Sequence, residues 1–249
     1  MNYTHFFLGL LEGDGSIQVN HWKKRILQFR IIIKLKETPQ NYRMLVRLRD
    51  RLGCMKVHCR HGSVLLIENQ QSRLKVLMKL IESHGLLCKK SREDYNFFYY
   101  CFHAKPTYSE FKYLKENREL CPPSSILRNL TCKQISNWRF FPGWLTGFIE
   151  AEGCFCNRAD GGQSFSIGQK NDPVILEAIK EFFQLPNKIQ SKKNKMYVLE
   201  SGHRSSLKRL IEFFEEFPLM GEKKNSYERF TQVFHKPRKI SKKEGKCRG

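Results

Sequence analysis

Phe7-Leu8-Gly9-Leu10-Leu11-Glu12-Gly13-Asp14-Gly15 stands near the start of the chain. Leu145-Thr146-Gly147-Phe148-Ile149-Glu150-Ala151-Glu152-Gly153 repeats it beyond the midpoint. Both run apolar, variable, Gly, apolar, apolar, acid, small, acid, Gly, and a large apolar residue, Ile17 or Phe155, follows shortly after each. Gly9 and Gly13 are spaced like Gly147 and Ala151, which on a helix puts two small residues on one face. Two such helices can approach until their backbones nearly touch. Gly15 and Gly153 fall where a helix commonly ends. Acids there add to the negative end of the helix dipole. Packing the two ends together gathers carboxylates that repel unless a cation sits among them, and a divalent metal resolves the conflict.

These two blocks resemble the paired signature of the LAGLIDADG homing endonucleases, in the single-chain form that carries both copies. The resemblance implies an α+β fold of two pseudo-symmetric αββαββα halves. Each half is a curved antiparallel four-stranded sheet with helices on one face, and the halves join through the signature helices into a DNA-binding saddle.

Composition agrees. The 249 residues carry 45 Lys and Arg against 24 Asp and Glu, a net charge of +21, and the sequence pI is about 9.7. That balance is the electrostatic footprint of a nucleic-acid partner. No uninterrupted apolar run is long enough for a membrane span, and no signal-peptide pattern opens the chain, so membrane binding is not expected. The nine cysteines include no CxxC pair. Free thiols in a reducing compartment are expected rather than a zinc site.

Outward from the first block, residues 4 to 13 are predicted helical with Thr4 as N-cap. Alternation then predicts strands over 16–20 and 27–36. Ser16, Gln18, Asn20, Gln28, Arg30 and Lys34 fall on their wet face. A helix over 39–52, a hairpin of 55–60 and 64–68 around His61-Gly62-Ser63, and a helix over 74–83 complete the half. The second half repeats this order: helix 144–151, strands 154–158 and 163–169, helix 173–183, hairpin 188–192 and 196–201, helix 206–214. A third block is also duplicated. Gly85-Leu86-Leu87-Cys88-Lys89-Lys90 parallels Pro218-Leu219-Met220-Gly221-Glu222-Lys223, and Tyr95 and Tyr227 each precede a Phe-His pair that is followed by Lys-Pro. The expected organisation is an N-terminal half over 1–105, a linker over 106–143 with a helix near 108–118 and a break at Cys121-Pro122-Pro123, a C-terminal half over 144–237, and a disordered basic tail over 238–249.

The paired acids point to metal-assisted phosphodiester hydrolysis, with one acid per half beside each strand of a duplex. Spacing alone does not choose between Glu12 and Asp14, or between Glu150 and Glu152. The family resemblance assigns the last acid of each block, Asp14 and Glu152, to the metal, assisted by the backbone carbonyls of Gly13 and Ala151, and leaves Glu12 and Glu150 structural. It also implies Mg²⁺, or another divalent cation such as Mn²⁺ or Ca²⁺. Lys90 and Lys223 match the basic residue that the family keeps beside its active sites, with Lys89 and Lys224 as competing choices. Gln169 matches a glutamine that orders active-site solvent, and its counterpart by alignment is Leu35. That mismatch, and Asp against Glu at the metal positions, predict unequal cleavage of the two strands.

A two-stranded ribbon fits the major groove. The expected DNA-facing residues are Ser16, Gln18, Asn20, Gln28, Arg30, Lys34, Lys56, His58 and Arg60 in the first half. In the second they are Cys156, Arg158, Ser164, Ser166, Gln190 and Lys192. Each half covers on the order of one DNA turn, about 10 base pairs, and the differing halves imply an asymmetric target. The expected protein is thus a monomeric, site-specific double-stranded DNA endonuclease. An intron RNA-binding splicing cofactor (maturase) and a catalytically silent DNA-binding module are the alternatives. Organellar introns often encode such proteins, so a mitochondrion or chloroplast is the expected compartment.

Overall fold

The computed structural model describes residues 2–121, 130–159 and 161–235. The predicted basic tail and Pro122-Pro123 lie outside them.

Helix α1 spans Tyr3–Asp14. Its cap is Asn2, not Thr4: the Asn2 side chain accepts from the amides of Thr4, at 2.9 Å, and His5. Thr4 lies already inside the first turn. α1 does not end in a left-handed glycine. Gly15 is extended, with φ −92°, and opens strand β1 (Gly15–Trp22) directly. Glycine is needed there for space, because a Cβ would collide with the Leu11 carbonyl.

Strand β2 (Ile26–Lys36) pairs with β1 in antiparallel register, Gln18 opposite Arg30 and Asn20 opposite Gln28. Helix α2 (Pro39–Leu52) begins with proline in its first turn behind a Thr38 cap and ends at Gly53, which is left-handed with φ 68°. Strands β3 (Lys56–Arg60) and β4 (Ser63–Glu68) turn over His61 and Gly62 alone, both at positive φ. Ser63 is already paired with Arg60, one residue tighter than the sequence suggests. Helix α3 covers Gln71–His84. The half then adds a helix beyond the predicted order, α4 (Lys89–Ala104), which buries Tyr95, Phe98, Cys101 and Phe102.

Between the halves lie α5 (Tyr108–Glu116), a 3₁₀ turn (Arg118–Leu120) and a short α6 (Cys132–Ser136) that the sequence reading did not anticipate. The second half then repeats the first: α7 (Phe141–Glu152), β5 (Gly153–Asn157), β6 (Gln163–Lys170), α8 (Pro173–Phe182), β7 (Gln190–Lys192), β8 (Met196–Ser201), α9 (Arg204–Glu216) and α10 (Lys223–Phe234). α10 is the counterpart of α4. The two sheets share one strand order, β1-β2-β4-β3 and β5-β6-β8-β7, and every pairing is antiparallel.

Each sheet buries one face. Ile31, Ile33, Val64 and Leu66 in the first, and Phe165, Ile167 and Leu199 in the second, lie against the helices. A half-buried sheet is the expected partner for helices on one side only. The opposite faces stay open. No helix among the described residues is long and apolar enough to cross a membrane.

Candidate active site

The site is built where α1 crosses α7. A Cβ on Gly9 would strike the Trp144 carbonyl, and one on Gly147 would strike the Phe6 carbonyl and come within 2.9 Å of the Leu10 amide. Hydrogen is therefore the only side chain these two positions admit at this separation. One turn further on, a Cβ on Gly13 would meet the Ala151 methyl and lie 3.4 Å from Glu152 Cγ. The helices thus touch down to their C-terminal ends, and the two acidic tips meet.

The acids divide into two kinds. Glu12 and Glu150 are buried and staple their own half together. Glu12 accepts from the Leu87 and Cys88 amides at 3.0 and 2.6 Å, at the start of α4. Glu150 accepts from Met220, Gly221 and Lys223 at 3.0–3.1 Å, at the start of α10. The block Gly85–Lys90 and its repeat are therefore the segments that receive these carboxylates. Burial pushes Glu12 up to about 7, and its three hydrogen bonds oppose the rise.

Asp14 and Glu152, the last residues of α1 and α7, make no such bonds among the described residues. Burial raises both. The Asp14 charge pushes Glu152 further, to about 7, and the Lys223 ammonium pulls both back. Two desolvated carboxylates that repel one another form a donor set suited to a hard cation. Among the described residues no third His, Cys, Asp or Glu joins them. Gly13 and Ala151 lie in the last helical turns, whose carbonyls lack partners further along the helix.

A cleft opens on each side of the helix pair. That of about 290 Å³ is lined by Asp14, Leu35, Lys36, Asn41, Glu150, Ala151 and Lys223. The other, of about 200 Å³, is lined by Gly13, Lys90, Asp94, Glu152, Gln169 and Lys170. Each carboxylate thus shares its cleft with a lysine from the opposite half, Asp14 with Lys223 and Glu152 with Lys90. The competing lysines, Lys89 and Lys224, line neither of these two clefts; they pair with Glu93 and Glu228 at 3.8 Å. Gln169 stands in the Glu152 cleft, its Nε2 3.7 Å from Cys88 Sγ, and Leu35 stands in the Asp14 cleft. Lys36 and Lys170, the last residues of β2 and β6, also line the clefts. The sequence reading gives neither a site role, although Lys36 falls on the wet face of its strand and both directly follow the aligned pair Leu35 and Gln169.

The halves lock to each other through two backbone amides and one indole. Asp172 Oδ2 accepts from the Lys89 amide at 2.6 Å, and Asn41 Oδ1 accepts from the Glu222 amide at 2.9 Å. The Trp144 indole donates to Glu12 at 2.7 Å. No sequence signal marks these bonds, because each pairs residues far apart in the chain.

On the first sheet, Ser16, Gln18, Asn20, Gln28, Arg30, Lys34, Lys56, His58 and Arg60 all fall on the open face by register. Trp22 and Ile26 extend it at the hairpin tip, 49 and 56% exposed. On the second, Cys156, Ser166, Gln190 and Lys192 share the open side. One expectation there needs correction: Ser164 is buried at 3% exposure and presents nothing to a ligand. Arg158 lies just beyond β5, exposed and paired with Glu200 at 3.0 Å.

Two antiparallel sheets hung from a glycine-packed helix pair with acidic tips define a two-motif endonuclease architecture. The chain belongs to the LAGLIDADG endonuclease family, whose pattern it matches over residues 7–102 and 145–234. It is 36% identical over 244 residues to the probable intron-encoded endonuclease aI3 of Dictyostelium citrinum, covering 92% of this chain and 94% of that one. A Dictyostelium discoideum protein described in the same way is 30% identical, with 90 and 94% covered. The chain spans only 37% of the corresponding Debaryomyces hansenii protein. Among solved structures, the meganuclease I-CpaMI bound to uncleaved DNA superposes with a TM-score of 0.71 at 17% identity, covering 94% of this chain and 91% of that one. The homing endonuclease I-GzeII in complex with its DNA target also gives 0.71, at 15% identity and 96 and 99% coverage.

Proposed function

We propose that this protein is a divalent-metal-dependent homing endonuclease that cuts both strands of a long asymmetric DNA site. The observation that carries the reading is the meeting of Asp14 and Glu152 at the helix crossing, between two open basic sheet faces. The structural relatives solved on DNA support the same substrate.

Asp14 and Glu152 would hold Mg²⁺, with help from the Gly13 and Ala151 carbonyls. The ion, when bound, would polarise the scissile phosphate and supply activated water. Lys223 and Lys90 bring positive charge to the cleft where the phosphorane develops. Gln169 can hydrogen-bond solvent beside Glu152, and Leu35 cannot do so beside Asp14. The sheet faces hold the duplex across the helix pair and read base edges in the major groove. The intron-encoded relatives favour a gene within an organellar intron.

The test is a cleavage selection on a library of randomised sites, followed by assays on the recovered site. Wild-type protein should make double-strand breaks only with a divalent cation. Asp14→Asn and Glu152→Gln should each lose at least a hundredfold in rate, the scale of one catalytic electrostatic group. Retained cutting of the same site by both variants would overturn the assignment.

A further inference from the structure

The two cleft lysines are held differently. Lys90 Nζ lies 2.7 Å from Asp94 Oδ2, one turn along α4. Asp94 is buried, and its other oxygen receives Arg118 from the 3₁₀ turn in the linking segment. The Arg118 guanidinium rests in turn over the Phe97 ring, 5.3 Å from its centre. One sunken carboxylate thus fixes the lysine of the Glu152 cleft and ties it to the linker. Lys223 has no equivalent among the described residues. The residue four positions on is Tyr227, whose hydroxyl turns away to the Ile211 carbonyl at 3.2 Å. The Lys223 charge acts directly on Asp14 and Glu152 instead.

A long lysine side chain is useful in catalysis only while its ammonium is held in place. Asp94 does this for Lys90. A buried carboxylate clamped by arginine has little freedom of its own, so it holds the ammonium at the cleft rim before substrate arrives. We propose that Asp94 is a positioning residue for hydrolysis on the Glu152 side, acting through Lys90 and braced by Arg118. The linker thereby prepares one of the two active sites and not the other. This rests on the reading of Lys90 as an active-site lysine.

The test is single-turnover cleavage of a duplex target carrying a different dye on each strand, with Mg²⁺. Asp94→Asn should slow one strand by about tenfold and leave the other within about twofold, so nicked product accumulates. Lys90→Met should slow the same strand. The double variant should be no slower than Lys90→Met alone, because Asp94 has nothing left to position. Arg118→Gln should show the same strand bias to a smaller degree. Equal slowing of both strands by Asp94→Asn, no slowing, or effects that multiply in the double variant would overturn the proposal. Thermal denaturation of each variant identifies any general loss of folding, which cannot by itself create a strand bias. If Lys90→Met cuts both strands normally while Asp14→Asn and Glu152→Gln are inactive, the assignment of Lys90 fails and the endonuclease reading stands.

Discussion

Trp144 Nε1 donates a hydrogen bond to Glu12 Oε1 across the boundary between the halves, at 2.7 Å. Glu12 already accepts two α4 amides, so the indole completes the coordination of a fully buried carboxylate. Among the described residues the pseudo-equivalent Glu150 accepts only from amides of its own half. Trp144→Phe keeps most of the packing and deletes this one donor. The expected loss is about 1–3 kcal/mol of stability, the cost of leaving a buried acceptor short of a partner, read as a lowered urea midpoint at unchanged slope.

The glycines of the crossing give a sharper ranking. Gly147→Ala drives a methyl into the Phe6 carbonyl, where backbone and not a flexible side chain must give way. About 3 kcal/mol or more should be lost, together with cleavage, because the acidic tips separate. Gly53→Ala meets open space and is penalised only by its left-handed φ of 68°, about 1–2 kcal/mol. Denaturation of the two variants side by side checks the order, and equal losses would mean that the helices do not need this close approach.

Much of this arrangement is legible in the sequence, and the exceptions share a cause. Gly9, Gly147 and the acids beyond them announce the helix pair because a fixed spacing encodes a fixed face. The alternation through Gln28, Arg30, Lys34 and their neighbours encodes the open sheet face in the same local way. α4 is legible in Tyr95, Phe98, Cys101 and Phe102, which follow helical spacing, but the same stretch also repeats in the second half, and a repeat speaks for duplication before it speaks for an element. Ser164 follows the strand period correctly and is still buried, since period tells the side of a sheet and not what covers it. Trp144–Glu12, Asp172–Lys89 and Asn41–Glu222 leave no local trace, being contacts between distant parts of the chain.

Metal binding should be visible without DNA. Asp14 and Glu152 repel each other in the free protein, and a cation bound between them relieves that repulsion. Mg²⁺ or Ca²⁺ should therefore raise the melting temperature, by the equivalent of about 1.4 kcal/mol at ten times the dissociation constant. EDTA should reverse the shift. Differential scanning fluorimetry of wild type and the Asp14→Asn, Glu152→Gln double variant checks this. A shift that persists in the double variant would place the ion elsewhere.

The end of the helix pair opposite the acids should respond to acid. His5 packs against His84 and Phe140, with ring centres 5.3 and 4.5 Å away. Burial first, then the charges of His84 and Arg139, lowers its pKa from 6.5 to about 4. Between those values the unfolded chain takes up a proton that the folded protein refuses, so stability falls as pH drops from about 6.5 to 4 and this contribution levels off below. His5→Gln should flatten that part of the profile. Urea midpoints at pH 7, 6 and 5 for the two proteins should converge as pH falls if the histidine is responsible, and should run parallel if it is not.

DNA affinity should follow the open faces and not the full set of polar strand residues. With a net charge of +21 and Lys34, Lys56 and Arg60 on one open face, binding releases counterions, so affinity falls steeply with salt, by a slope of about −0.9 per phosphate neutralised. Removing one phosphate-contacting lysine should reduce that slope by about one unit. Lys34→Ala and Lys56→Ala are the substitutions to make, measured by fluorescence anisotropy on the recovered site in Ca²⁺ at a series of KCl concentrations. Ser164→Ala is the control: the side chain is covered, so affinity and slope should match wild type. If Ser164→Ala weakens binding as much as the lysine variants do, the duplex does not lie on the faces that the strand register leaves open.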